Sequence, residues 1–308
     1  ENDGHEEYFL DKRKERGYNL SDYGAVFPLL WQYKDEVKTM AQAFFGGVHP
    51  HDMKAATNEK AIEQLAPPAV VVIPMSMHFG APCTPLVKAG DHVKVGQKIG
   101  EIAGLGAPIH ASVSGVVKAV EPRPYSMGGK VMSVVIDNDF KDDLSEEVHA
   151  PADPDALSVE EMVEMVKQAG IVGMGGATFP TQVKLTPPPG NKAEVLIING
   201  VECEPYLTAD HRIMLEKAEE IIIGVQILMK AIDVKRAIIG IENNKKDAIA
   251  HLQDIAGKVL GVEICPLKVK YPQGGEKQLI QATVNRAVPS GALPIAVGAV
   301  VQNVGTAL

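Results

Sequence analysis

Residues 194–206 read EVLIINGVECEPY, a short apolar run that ends in glycine, acidic residues and proline. The first six residues have the length and composition of a buried strand, and the residues that follow predict a loop at its carboxyl end. Apolar residues at helical spacing then predict a long helix over about residues 210–232. A strand that leads through a loop into a helix is the repeating unit of an α/β sheet, so this stretch decides the fold of the C-terminal half.

The same alternation of strands and helices extends to both sides of this stretch. Ser158 and Glu161 form a capping box for a helix that should end at Gly170. Downstream, the pattern predicts strands over 236–241 and 262–270 and helices over 245–259 and 276–284. The alternation predicts a mainly parallel sheet, in which ligands bind beyond the carboxyl ends of the strands.

Residues 46–136 are assigned to a different, all-β domain. From residue 69 onward, short apolar runs are separated by Gly, Pro and Asp, as in a small barrel or sandwich. Two similar stretches, beginning at Val87 and Ile109, resemble the halves of the barrel-sandwich fold of biotinyl and lipoyl carrier domains. Those carriers present a modifiable lysine on the hairpin between the halves. Here that hairpin, residues 101–111, has no lysine, so we expect a structural or docking role.

The rest of the chain divides around these two domains. Residues 1–45 form an N-terminal extension to which the sequence assigns no role. Residues 137–157 are acidic and contain proline, which predicts a linker. Residues 158–308 then make up the α/β domain.

Composition excludes several classes of function. The 308 residues include 30 Lys and Arg against 39 Asp and Glu, a net charge of −9 that argues against nucleic-acid binding. Cys83, Cys203 and Cys265 form no CxxC pair, and His110 and His211 have no partner at metal-ligand spacing, so no metal site is assigned. The odd cysteine count is typical of a reducing compartment. No apolar run approaches the ~20 residues that cross a bilayer.

Two loops carry the strongest signals for binding. Residues 170–184 read GIVGMGGATFPTQVK, where four glycines in seven positions let backbone N–H groups approach an anion, Thr178 offers a hydroxyl and Lys184 a positive charge. In the loop after residue 199, Glu202 and Glu204 either point together into a cleft or serve to cap the following helix.

Two further loops lie at similar positions in the predicted sheet. Residues 271–277 (YPQGGEK) follow a strand, and residues 301–306 (VQNVGT) offer amides and a hydroxyl that can hydrogen-bond a heterocycle. Because all four loops fall at strand or helix junctions of one domain, we predict that they share one pocket.

Taken in order, the motifs GxxGxGGATFPTxxKL, INGxECEPYLxxDHR, YPQGGEKQL and VVQNVGT resemble the FMN- and NADH-binding subunit of respiratory complex I. They resemble more closely the C subunit of the Rnf complex, the ion-translocating ferredoxin:NAD oxidoreductase, whose opening GGxHP…K matches residues 46–54. The resemblance covers about residues 46–308. It implies an α/β protein with an N-terminal all-β barrel-sandwich hybrid, followed by a Rossmann-like FMN-binding domain of the complex I 51 kDa type.

The resemblance also implies roles for individual residues. Gly173, Gly175 and Gly176 would lie against the flavin, Lys184 would contact a phosphate of the flavin or nucleotide, and Phe179 would stack on the dinucleotide. The other loops would contribute Asn199, Glu202, Glu204, Tyr271, Gly274, Glu276, Asn303 and Thr306. Val201 stands where complex I has an aspartate, so it is left out of the site.

The function implied is that of the NADH-handling electron-transfer subunit of a membrane-bound, ion-translocating Rnf complex. Such a subunit is peripheral on the cytoplasmic face of the inner membrane and contacts other Rnf subunits. Electrons would pass between NAD(H) and, indirectly, ferredoxin through FMN and two 4Fe–4S clusters, whose ligands we expect beyond Leu308. A flavin requires placement more than acid–base side chains, so no catalytic residue is assigned.

Two alternatives remain open. The chain would be a non-catalytic docking subunit if its nucleotide pocket has decayed, although the glycine loop and both glutamates favour the first interpretation. A flavin-dependent cobalamin reductase is disfavoured because those proteins carry the barrel-sandwich module at the other end.

Overall fold

The computed structural model describes residues 44–148 and 153–308. The N-terminal extension expected over residues 1–45 therefore lies outside the described residues, except for its last two.

The first half is all-β, as predicted. Its strands are β1 (Val70–Pro74), β2 (Thr84–Pro85), β3 (His92–Val93), β4 (Lys98–Glu101), β5 (Ile109–His110), β6 (Gly115–Pro124) and β7 (Lys130–Asn138). They form a four-stranded antiparallel sheet, β1-β7-β6-β3, and a three-stranded sheet, β2-β4-β5. Met75, Ile99 and Ile136 are fully buried in the core of this domain. β7 runs two residues into the predicted acidic linker.

The second half is an α/β domain with one parallel sheet. Its strands are β8 (Val195–Gly200), β9 (Ala237–Glu242), β10 (Val262–Leu267) and β11 (Ala299–Asn303), in the order β10-β9-β8-β11. Its helices are α1 (Val159–Gln168), α2 (Thr181–Lys184), α3 (Ala209–Glu216), α4 (Ala218–Ala231), α5 (Lys246–Ala256), α6 (Glu276–Val284) and α7 (Val304–Ala307). Short 3₁₀ helices lie at Pro154–Ala156 and Pro294–Val297.

Local sequence signals mark the start and the end of α1. The predicted capping box is present, with the Ser158 hydroxyl accepting from the Glu161 amide and the Glu161 carboxylate accepting from the Ser158 amide. Gly170 follows α1 with a φ of 71°, in the left-handed region that glycine tolerates best.

The single long helix predicted over residues 210–232 is wrong. The backbone leaves the helical region at Lys217, where φ is −134° and ψ is 31°, and divides the helix into α3 and α4. Met214 and Ile221 on either side of the break are both fully buried. The apolar spacing therefore survives the break, which is why periodicity does not reveal it.

Helices cover both faces of the parallel sheet. Leu196, Ile198 and Ile239 point into one core with α4 and α5, while Ile197 and Ile238 point into the other with α6. Because the four strands are parallel, their carboxyl ends lie together at one edge of the sheet. Three of the four loops predicted to bind a ligand follow from this edge, whereas the glycine-rich segment follows α1.

The hairpin at residues 101–111 docks on the α/β domain. The Gly106 carbonyl oxygen accepts a hydrogen bond of 2.8 Å from the Gln182 side chain. Lys98, on the adjoining strand, donates to Gln168 at the end of α1 over 2.7 Å. The hairpin that bears a lysine in carrier domains thus contacts α2 in this protein, and the strand before it contacts the end of α1.

Candidate functional site

The glycine-rich segment, residues 170–184, lies against the end of β11. The Met174 amide donates to the Thr306 hydroxyl over 2.9 Å. A Cβ atom at Gly175 would stand only 2.6 Å from Asn303 Nδ2, whereas one at Gly176 would meet nothing within 4 Å. Neither glycine has a left-handed φ. Glycine is therefore needed at 175 for close approach rather than for a tight turn, and the exposed backbone at 175–176 borders open space.

Thr178 and Phe179 differ from their sequence interpretations. The Thr178 hydroxyl donates to the Ala177 carbonyl oxygen over 2.7 Å, so it is not the free anion donor that the sequence predicted. The half-buried Phe179 ring packs against Phe79 of the all-β domain, with centroids 5.5 Å apart and planes inclined by 35°. The ring expected to stack on a dinucleotide already has one aromatic neighbour.

Lys184 joins the glycine-rich segment to the end of the sheet. Its ammonium donates to Glu276 Oε1 over 2.6 Å and to the Val301 carbonyl oxygen over 3.0 Å. Both charged side chains keep about a third of their surface exposed, 31% for Lys184 and 37% for Glu276. Two of the predicted residues, from separate loops, are thus brought into direct contact.

The loop after β8 separates its two carboxylates. Glu202 is 4% exposed, and its Oε1 accepts from the Asp210 amide at the start of α3 over 2.9 Å. Glu204 is exposed. The expectation that both point the same way is therefore wrong, and the helix-capping alternative describes Glu202. The free N–H groups at the start of α3 stabilise the Glu202 carboxylate in its buried position. Glu204 lies on an exposed part of the loop.

The two asparagines tie loops together. Asn199 Nδ2 donates to the Gly274 carbonyl oxygen over 2.9 Å. Asn303 Nδ2 donates to Asp210 Oδ2 over 2.7 Å, and its Oδ1 accepts from the Gly305 amide over 2.8 Å. The Asn303 amide, predicted to bond a heterocycle, is thus engaged mainly within the protein. It leaves one acceptor site on Oδ1.

The loop after β10 is packed against the loop after β8. A Cβ atom at Gly274 would lie 2.7 Å from the Val201 carbonyl oxygen, so only glycine allows this approach. Tyr271 is exposed and exchanges backbone hydrogen bonds with Val48. Gln273 is fully buried and its side-chain amide has no hydrogen-bond partner among the described residues, a feature that the sequence did not indicate.

Sequence reasoning missed Asp210 as a site residue. Burial raises the pKa of its carboxyl group to about 6, the hydrogen bond from Asn303 opposes that rise, and the charge of Glu202 adds to it. The signal that could have found it is its place in the motif DHR, directly after the loop that carries Glu204.

A buried pair of opposite charges lies at the carboxyl end of β9. Lys245 donates to Glu242 over 2.6 Å, and both side chains are almost wholly buried. Burial raises the pKa of Glu242 in spite of this partner. Within the described residues, no group of three or more His, Cys, Asp and Glu side chains is arranged to hold a metal ion.

Together these contacts converge on the carboxyl edge of the sheet. Gly175 touches Asn303, Asn303 holds Asp210, and Lys184 holds Glu276. This carboxyl edge offers the exposed backbone of Gly175 and Gly176, the partly exposed ammonium of Lys184 and the exposed carboxylate of Glu204. Backbone N–H groups and a cation suit a phosphate, and a carboxylate suits sugar hydroxyl groups. The donor set therefore fits a phosphorylated ligand such as FMN, and the open space at Gly176 gives it access.

Comparison with known proteins identifies both halves of the chain. Residues 42–141 match a family model described as the RnfC barrel sandwich hybrid domain, and residues 166–308 match the Nuo51 FMN-binding domain. The barrel-sandwich hybrid and the complex I 51 kDa type of FMN-binding domain that the sequence predicted are thereby confirmed.

Individual relatives agree with the family models. The chain is 49% identical over 265 residues to the C subunit of the Na(+)-translocating ferredoxin:NAD(+) oxidoreductase complex of Acetobacterium woodii, covering 86% of this chain and 60% of that protein. It is 49% identical over 270 residues to the C subunit of the proton-translocating ferredoxin:NAD(+) oxidoreductase complex of Clostridium ljungdahlii, covering 87% and 59%.

A solved structure of an NAD+-reducing NiFe hydrogenase contains a chain 26% identical over 50% of this chain and 29% of that one. Its TM-score of 0.42 is too low to define a shared fold. The chain spans about 60% of the length of the two bacterial relatives. The two family models and the identity to both relatives show that the chain contains an RnfC barrel sandwich hybrid domain followed by a Nuo51 FMN-binding domain, and that it is similar to C subunits of ion-translocating ferredoxin:NAD(+) oxidoreductase complexes.

Proposed function

We propose that this chain is the NADH-handling part of an ion-translocating Rnf complex, with FMN held at the carboxyl edge of the parallel sheet. The observation that carries the proposal is the exposed backbone at Gly175 and Gly176, pressed against Asn303 on one side and open on the other. Two relatives are named as subunits of ferredoxin:NAD(+) oxidoreductase complexes, which supports the same activity here.

Each part of the edge has a role in this proposal. The amides of Gly175 and Gly176 border the flavin, and Lys184 faces its phosphate once the ammonium turns from Glu276. Glu204 receives hydroxyl groups of the nicotinamide nucleotide, and Phe179 offers a ring face for stacking. The remaining predicted residues hold or line the loops; they are Gly173, Asn199, Glu202, Tyr271, Gly274, Asn303 and Thr306. A bound flavin accepts a hydride and releases electrons one at a time, so these residues need only bind, orient and exclude water.

The proposal extends to cofactors and partners beyond this chain. With FMN bound at this edge and two 4Fe–4S clusters expected elsewhere in the complex, electrons would pass between NAD(H) and, indirectly, ferredoxin. The other Rnf subunits are the expected partners, and the chain lies peripherally on the cytoplasmic face of the inner membrane. In residues 44–148 and 153–308, every helix is too short or too polar to cross a bilayer.

A flavin titration of the full-length protein tests the proposal. Gly176→Ala adds a methyl group with no atom of the described residues within 4 Å apart from its chain neighbours, so it should leave folding intact and weaken FMN binding. Lys235→Ala, at a side chain that is 94% exposed near the start of β9, is the control and should bind FMN like the wild type. NADH should bleach the bound flavin.

The alternatives predict different results. A wild-type protein that binds no FMN would support a non-catalytic docking subunit. Equal FMN affinity in Gly176→Ala and the wild type would place the flavin elsewhere. A flavin-dependent cobalamin reductase stays disfavoured, because the barrel-sandwich domain precedes the FMN-binding domain here.

A further inference from the structure

Residues 48–62, here called the strap, are assigned to the all-β domain from the sequence, but they precede its first strand, β1, and lie on the α/β domain. Val48 exchanges two backbone hydrogen bonds with Tyr271, and His49 Nδ1 lies 3.1 Å from the Val269 carbonyl oxygen. At the other end, the Ile62 amide donates to Glu216 on α3. The strap thus runs from the loop after β10 to the helix that follows the loop after β8.

Lys54 is the buried centre of the strap. Its side chain is 7% exposed, and its ammonium donates to the backbone carbonyl oxygens of Glu202 over 2.8 Å, Glu204 over 3.0 Å and Leu207. An ammonium has three N–H donors, so all of them are used within one loop. The Glu202 carboxylate, 3.9 Å away, adds charge attraction without a further hydrogen bond.

Neighbouring residues of the strap hold the same loop. The Tyr206 amide donates to the Asp52 carbonyl oxygen over 2.9 Å. The Thr208 hydroxyl donates to the Thr57 hydroxyl over 2.8 Å, and Arg212 on α3 donates to the Asn58 carbonyl oxygen. With the three bonds of Lys54, the hydrogen bonds between the strap and the loop fall on residues 202, 204, 206, 207 and 208, on both sides of Glu204 and at Glu204 itself.

We propose that Lys54 is a positioning residue, whose ammonium holds the loop over residues 202–207 so that the exposed Glu204 carboxylate meets the nicotinamide nucleotide. This inference rests on the proposed function, since it assigns the loop to nucleotide binding. Because its donors all go to backbone carbonyls, Lys54 contacts no ligand and acts only through the loop. The sequence singles out Lys54 only as the lysine of the opening GGxHP…K motif, and its role in the loop depends on contacts with residues 148 and 150 positions further along the chain.

Substitution of Lys54 should separate nucleotide handling from flavin binding. Lys54→Met removes the three donors while keeping most of the apolar side chain. Lys54→Arg keeps the charge, but its planar fork cannot converge on three carbonyls as an ammonium does. Lys60→Met, at an exposed lysine of the same strap, is the matched control.

Three measurements on the FMN-loaded full-length protein decide the matter. Rapid mixing with NADH gives the second-order rate of flavin bleaching per bound flavin, titration gives FMN affinity, and hydrogen exchange reports the amides of residues 202–208. We expect Lys54→Met to lower the bleaching rate about 100-fold, the loss typical of a misplacement of ~1 Å. The bleaching rate of Lys54→Arg should fall by less. FMN affinity should stay as in the wild type, and amide hydrogen exchange should become faster in residues 202–208 but not in residues 173–176.

Opposite outcomes overturn the inference. If Lys54→Met melts at a lower temperature but keeps the wild-type bleaching rate per bound flavin, Lys54 is only structural. If Lys54→Met does not fold, unchanged amide exchange and an unchanged bleaching rate in Lys54→Arg would likewise show that Lys54 is only structural. Failure of the wild type to bind FMN would instead refute the proposed function, while the exchange of residues 202–208 would still test whether Lys54 holds the loop.

Discussion

The contact between Gly175 and Asn303 makes Gly175→Ala the sharpest test of the site's geometry. The new Cβ atom would stand 2.6 Å from Asn303 Nδ2, 2.7 Å from its Cγ and 2.8 Å from its Cβ. Ordinary contact begins near 3.4 Å, so the two residues must separate by about 0.8 Å. Asn303 cannot turn away freely, because its amide is held by Asp210 and its oxygen caps Gly305.

The cost follows from the bonds that the separation strains. A hydrogen bond to a charged group contributes about 1.5–3 kcal/mol and an N-cap about 1 kcal/mol, and only part of each is lost. We therefore expect Gly175→Ala to lower the free energy of unfolding by about 2 kcal/mol, within the usual range for overpacking. FMN affinity should fall as well, because the exposed backbone moves with the loop.

Urea unfolding followed by circular dichroism measures this change. Gly176→Ala is the matched control and should stay within about 0.5 kcal/mol of the wild type. Adding Asn303→Ala removes the Cγ and Nδ2 atoms that clash, so the two substitutions should be coupled by about 1 kcal/mol. Full stability in Gly175→Ala, or strict additivity with Asn303→Ala, would refute the close contact.

Three further substitutions address the charged residues of the site. Asp210→Asn keeps an acceptor for Asn303 but removes a carboxyl group whose pKa rises from 3.8 to about 6 on folding. The stability given by the protonated Asp210 side chain is fully present below about pH 4 and is lost as the pH rises through 6. At pH 8 the free energy of unfolding of Asp210→Asn should therefore exceed that of the wild type by up to about 3 kcal/mol. Urea unfolding at several pH values checks this, and a gain independent of pH would contradict it. Lys184→Ala removes a partly exposed ion pair with Glu276 that contributes less than about 1 kcal/mol, so it should weaken FMN retention in a titration while the melting temperature hardly moves. A large fall in the melting temperature would instead mark Lys184 as structural. Glu204→Ala should slow flavin bleaching by NADH and leave FMN affinity unchanged; normal bleaching kinetics would remove Glu204 from the nucleotide site.

Much of the fold could be predicted because its signals are local. The capping box at Ser158 and the alternation of apolar strands with amphipathic helices each depend on residues close together in the chain. The break at Lys217 could not be predicted, because the apolar spacing continues through it. The strand expected over 262–270 ends at Leu267, where no local signal marks its end.

The candidate site was predicted as a set of loops but not as a set of contacts. The convergence of the three loops that follow strands is explained by strand polarity, which the alternation of elements reveals, whereas the glycine-rich segment follows α1 and is placed by its contacts with Asn303 and Thr306. The inward turn of Glu202 and the pairing of Lys184 with Glu276 depend on partners from other elements. Such pairings join residues far apart in the chain, so the sequence alone cannot show which polar groups remain free for a ligand.

The path of the chain around the strap also limits how the two domains can move. The polypeptide first packs on the α/β domain at residues 48–62, then builds the all-β domain, and returns to the α/β domain at α1. The all-β domain is therefore an insertion with both ends tethered to the same body, so a swing about a single hinge would strain two connections at once. A fragment cut to begin at residue 158 would lose the strap together with the insertion, and would leave the carbonyls of residues 202–207 without their buried cation.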